Sequence, residues 1–208
     1  LIACRTGDSY RWLVIALVLL ALLRVNQVLF YWTDFLSLRV YDIATAVILK
    51  PLNLAIWTLA WRDWFRVRRY PWLRHASIAL ALTYAVFACI GRPWFAPDAS
   101  HGLRIAADSV VEVVRVAFAA LYLGIVGFGV IRSAKPSAYL AALAAILVGI
   151  GLFATELNAL GIPGIWFPYG TGVARGQYAY AGFIVVLFLL ILMRFAAYAL
   201  AQRSGGGR

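Results

Sequence analysis

Six long apolar runs, at roughly 11–33, 40–62, 72–92, 104–132, 137–158 and 175–200, leave this chain little choice in what it can fold into. Each run is continuous rather than alternating, and each reaches the length of about 20 residues that a helix needs to cross a bilayer. Backbone polar groups in lipid must be satisfied within the segment, so helix is the only sensible geometry for such runs. The expected fold class is all-α: a polytopic transmembrane bundle of six spans, formed by residues 1–203 as one domain, with a flexible Gly-rich tail at 204–208. Of 208 residues, 64% are hydrophobic and only 13% charged, which excludes a soluble globule and leaves no room for a separate catalytic domain.

The net charge of +11 is unevenly spread. One set of loops collects Arg5, Arg11, Arg62, Arg66, Arg68, Arg69, Arg74, Arg132, Lys135, Arg194, Arg203 and Arg208 against only Asp8 and Asp63. By the positive-inside rule this face is cytoplasmic, with both termini inside, and the expected location is an inner (plasma) membrane. Trp12, Trp57, Trp61, Trp64 and Trp72 fall at the inner boundaries of these spans and Trp32, Trp94 and Trp166 at the outer ones, where amphipathic indoles favour the headgroup region. Basic charge of this kind calls for anionic lipid as a partner, together with another membrane or cytoplasmic protein, and needs no nucleic acid. The two cysteines, Cys4 and Cys89, fall on opposite faces, so no disulfide is expected. A chain that begins at Leu1 and whose only methionine is Met193 reads as a processed product or a piece of something longer.

Ionisable residues inside the runs are the candidates for function. Arg104, Asp108, Glu112 and Arg115 lie within an arc of about 80° on the fourth span, and Glu112 reaches roughly 14 Å below the outer boundary. Lys50, followed by Pro51 and Asn53, sits at similar depth on the second span, and Arg24, with Asn26 and Gln27, on the first. Each such charge costs about 2.5–3.5 kcal/mol at mid-membrane and so needs a partner or a wet cavity. Arg24, Lys50, Asn53, Asp108, Glu112 and Arg115 are thus expected to share a layer in the outer half of the bundle. Three readings are open: an ion-pair network, with Glu112 on Arg115 and Arg24 or Lys50 on Asp42, Asp108 or Glu156; an outward-open pocket for an anionic headgroup or an amphipathic carboxylate; and a proton relay.

Two loops stand out. Between spans two and three, WRDWFRVRRYPWLRH interleaves rings with Arg62, Arg66, Arg68, Arg69 and Arg74, a pattern suited to the surface of an anionic leaflet. Between spans five and six, GIPGIWFPYGTGVARGQ can neither continue a helix nor form a central strand, and it reads as a cap carrying Trp166, Phe167, Tyr169 and Arg175. Ala141, Ala145 and Gly149 on span five, and Gly124, Gly127 and Gly129 on span four, are spaced for close helix contacts.

Catalytic patterns are missing. His75 and His101 fall on opposite faces, the last span has no lysine, and neither GxSxG nor HExxH occurs. No metal site and no cofactor are expected, and an enzyme is not the favoured reading.

The stretch Gly164-Ile165-Trp166-Phe167-Pro168-Tyr169-Gly170, followed by Arg175-Gly176-Gln177-Tyr178-Ala179-Tyr180-Ala181, resembles the end of the polytopic membrane region in some bacterial sensor proteins. In these, that region precedes a cytoplasmic serine phosphatase or histidine kinase domain. Pro51-Leu52-Asn53 and Trp61-Arg62-Asp63-Trp64-Phe65 are similar to the same group. The resemblance implies an input or anchoring module that signals through its last helix, and it carries over no catalytic residue. The alternatives are a structural or assembly subunit of a larger membrane complex and a carrier or binder of a lipophilic anion.

Overall fold

The structure, a computed structural model, describes residues 2–133, 136–160 and 175–205. Among the described residues every regular element is helical and no strand occurs. In chain order these are α1 (Ile2–Trp32), α2 (Leu38–Asp42), a π-helical segment (Ile43–Leu49), α3 (Lys50–Trp64), a 3-10 turn (Val67–Arg69), α4 (Trp72–Gly91), α5 (His101–Ser133), α6 (Pro136–Leu152), α7 (Ala154–Ala159) and α8 (Arg175–Gly205).

Four stretches are long and apolar enough to cross a membrane: Tyr10–Trp32, Leu38–Trp64, Trp72–Gly91 and His101–Ser133. They coincide with the first four expected runs. The fifth run is divided, because the helix breaks at Phe153 between α6 and α7, while α8 covers the whole of the sixth expected run. Helix α8 also continues through Ser204 and Gly205, so the first residues assigned to the tail are helical.

The chain divides into two compact units, Leu1–Ile125 and Val126–Arg208. In the first, α3 is the central helix, with α1 and α4 both packed on it. Burial runs nearly all round α3, and Asn53, Trp57, Trp61 and Trp64 on one side are among the buried residues. Trp57 and Trp61 stack with ring centroids 6.1 Å apart, and Trp64 meets Trp61 edge-on and Tyr10 of α1 edge-on. These three indoles are therefore core residues and not exposed headgroup anchors. Residues at i, i+4 and i+7 share a helix face, and here that face is turned to neighbouring helices. Trp32, 85% exposed, and Trp72, 57% exposed, do keep the surface position expected of an interfacial ring.

In the second unit α6 packs on α8. The buried face of α6 is made almost wholly of small residues, Ala138, Ala141, Ala142, Ala144, Ala145, Val148 and Gly149, opposite Ala179, Tyr180, Phe183, Leu187 and Leu190 of α8. Such a face lets backbones approach closely, and dispersion across the seam then replaces exclusion of water as the source of cohesion. Near the end of α6 the approach is closest: a Cβ added at Gly151 would overlap the Tyr180 ring. Gly124 and Gly127 of α5 differ, since nothing lies within 4 Å of a Cβ built on either. Among the described residues they meet no neighbour at that distance, whereas Gly129 is buried.

Candidate functional site

Proline in a helix lacks an N–H, and its ring collides with the carbonyl four residues earlier. Pro51 nevertheless continues its helix, because the turn upstream is wound more widely. The Lys50 N–H reaches back five residues to the Thr45 carbonyl, and the π-helical winding from Ile43 to Leu49 accommodates the ring. Windings of this kind are uncommon and are frequently found at functional positions.

Two side-chain ties bracket the widened segment. Asn53 Nδ2 donates to the Leu49 carbonyl at 2.9 Å and to the Leu19 carbonyl of α1 at 3.3 Å. Asn26 Nδ2 donates to Thr45 Oγ1 at 2.8 Å. The pairs 19 with 53 and 26 with 45 run antiparallel, and seven residues of helix rise roughly 10 Å. Arg24 and Lys50 both lie in register between the ties, and both are half-buried. Arg24 Nη1 donates to Gln27 Oε1 at 2.8 Å, one turn along the same helix. Asn53 is only 1% exposed, and among the described residues its Oδ1 accepts no hydrogen bond. Arg24, Lys50 and Asn53 thus fall at one level along α1 and α3, with Asn26 and Thr45 at the same level as members that inspection of charge alone passes over.

The α5 residues are placed differently. Asp108 is exposed and lies at the end of α4, where a Cβ on Gly91 would come within 2.9 Å of its Oδ1. Glu112 is exposed one turn further on and Arg115 is half-buried. Arg104 starts the same face of α5, and its Nη2 donates to the Ala96 and Pro97 carbonyls at 3.2 and 2.9 Å and so pins the 92–100 loop. Asp42, expected as a partner for Arg24 or Lys50, instead meets Arg92 Nε at 3.4 Å and accepts from Trp94 Nε1 at 3.0 Å. The end of α4 lies against the π segment, which puts the first residues of the following loop within reach of Asp42.

At the α3–α4 turn the five arginines are not equivalent. Asp63, 5% exposed, sits beneath the turn and holds Arg62 Nη1 at 3.5 Å and Arg68 Nη2 at 2.9 Å. Arg62 Nη2 also donates to the Arg68 carbonyl at 3.5 Å. The sequence shows Asp63 only as a stray acid among bases, yet it organises the turn. Arg66, Arg69 and Arg74 are exposed. Trp166, Phe167 and Tyr169 lie outside the described residues, and Arg175 is the first residue of α8. Among the described residues no group of three or more His, Cys, Asp or Glu could hold a metal ion. The chain matches no protein-family model, no curated protein and no solved structure.

Proposed function

We propose that the chain is a six-span bacterial inner-membrane domain, with both termini cytoplasmic, that acts as a non-catalytic sensory or anchoring module. Its input would be an anionic headgroup or an amphipathic carboxylate received in the slab between α1 and the π segment, and its output would pass through α8. The observation that carries this reading is the π-wound turn held between the Asn26–Thr45 and Asn53–Leu19 ties, with Arg24 and Lys50 in register between them.

The physical requirement is an element with two arrangements that a ligand distinguishes. A π turn that tightens to α-helical winding would rotate every residue preceding it and would bring the Val47 carbonyl against the Pro51 ring. A ligand that binds one arrangement ten times better than the other shifts the balance by about 1.4 kcal/mol. Six crossings are supported by the four long apolar helices together with the shorter apolar helices Pro136–Leu152 and Tyr178–Met193. Surface valines and leucines on α1, from Val14 to Val28, suit contact with lipid tails and would form an oversized apolar patch in water. Helix α8 continues past the sixth apolar run to Gly205, a geometry suited to transmitting a shift, and the resemblance of residues 164–181 to sensor membrane regions agrees with that role.

The test is native mass spectrometry on the protein gently extracted from its source membrane, with the wild type compared with Lys50→Met and Arg24→Gln. Retention of one anionic amphiphile, weakened in both variants, is expected. A folded wild type that retains no such species, or variants that retain it equally, would remove the ligand from the account.

A further inference from the structure

The α3–α4 turn engages two of its five arginines in its own architecture and leaves the side chains of the other three unengaged among the described residues. Asp63, buried beneath the turn, engages Arg62 and Arg68. No ion pair or side-chain hydrogen bond among the described residues engages the guanidinium of Arg66, Arg69 or Arg74. A fourth cation comes from elsewhere in the sequence. The edge-on contact of Tyr10 with Trp64, centroids 6.1 Å apart, brings the next residue of α1, the exposed Arg11, to the same end of α3. Tyr70 and Trp72, 38% and 57% exposed, flank the arginines as amphipathic rings.

Arg66 supplies a second, independent sign. Its backbone is left-handed, φ 57° and ψ 33°, the only non-glycine with positive φ among the described residues. Glycine adopts that geometry without strain and arginine does not, so the guanidinium occupies a position that backbone energetics alone would give to glycine.

We infer that Arg11, Arg66, Arg69 and Arg74 form a docking surface for the phosphodiester headgroups of anionic phospholipid, with Tyr70 and Trp72 seated at headgroup depth, while Arg62 and Arg68 only hold the turn. A membrane is favoured over an acidic protein or a nucleic acid because the patch lies at the end of helices apolar enough to span, and because exposed rings beside cations suit a headgroup layer. The inference rests on these helices lying in a bilayer and not on the sensory reading, which concerns a slab further along α1 and α3.

The experiment uses the full chain in nanodiscs of phosphatidylcholine with phosphatidylglycerol, and reads the preference for spin-labelled phosphatidylglycerol over spin-labelled phosphatidylcholine. Each of Arg11→Gln, Arg69→Gln and Arg74→Gln is expected to lower the preference about five-fold at low salt. Arg66→Gly should lower it to the same degree while raising the melting temperature, a combination that a structural role for Arg66 would not produce. Arg68→Gln should lower the melting temperature and change the preference less than two-fold. A wild type with no preference, a preference unchanged in the variant lacking all four arginines, or an equal loss from Arg68→Gln would overturn the inference. Full competition by soluble glycerol phosphate would overturn it too, by showing a site for free phosphate in place of a lipid surface.

Discussion

Asn53 reaches from α3 to the Leu19 carbonyl of α1 at 3.3 Å while holding the Leu49 carbonyl of its own helix at 2.9 Å. One amide thus joins the central helix to its neighbour and also supports the backbone just before Pro51. Asn53→Ala should destabilise the protein by about 2 kcal/mol, from two lost hydrogen bonds and a small cavity. Asn53→Leu should cost less than about 1 kcal/mol, because it refills the space and also removes the unpaired Oδ1. Unfolding in mixed micelles by added sodium dodecyl sulfate measures both, and equal losses would show that the amide hydrogen bonds dominate over packing.

Asp63 is the structural centre of the α3–α4 turn. Its side chain is 6% exposed, and that of Arg68 is 39% exposed. Removing the carboxylate in Asp63→Ala leaves two guanidinium groups facing each other, at a cost of about 1–3 kcal/mol once the exposure of Arg68 is allowed for. The loss should appear locally as faster amide exchange across residues 65–70, and unchanged exchange there would show that the turn is held by its backbone alone.

Glycines on α5 and α6 should respond in opposite ways to the same substitution. Gly151→Ala forces a methyl group into the Tyr180 ring and should destabilise by about 1–3 kcal/mol, with part of the loss recovered when Tyr180→Ala is added. Gly124→Ala meets nothing within 4 Å and should stabilise α5 by up to about 1 kcal/mol through helix propensity. Thermal melts of the three variants and the double variant decide this, and a loss in Gly124→Ala would reveal a helix seated on that face.

Much of the fold was legible because apolar length and continuity are a strong signal in lipid, where backbone satisfaction allows little but helix. The ends of the first four apolar helices fall within a few residues of the runs from which they were read. What escaped was direction around each helix. Trp57, Trp61 and Trp64 carry the composition of an interface belt but form the core, because in a uniformly apolar helix neither hydropathy nor an indole shows which side meets protein. Gly124 and Gly127 have the spacing of a contact seam and meet no neighbour within 4 Å among the described residues for the same reason. In the candidate site the charges Arg24 and Lys50 were visible, while Asn26 and Thr45 were not singled out as partners, since pairing depends on the register of α1 against the π segment. That register follows from the wider winding before Pro51, and a proline in the sequence announces a disturbed helix without saying which disturbance is chosen.

The most direct measurement of the central claim is hydrogen–deuterium exchange at the Ile43–Leu49 amides in phosphatidylcholine nanodiscs, with palmitate as the anionic amphiphile. Saturable protection of these amides in the wild type, lost in Lys50→Gln and Arg24→Gln and accompanied by changed exchange in α8, is the predicted result. Exchange that is identical with and without palmitate, or protection that survives in both variants, would contradict a ligand-responsive π segment.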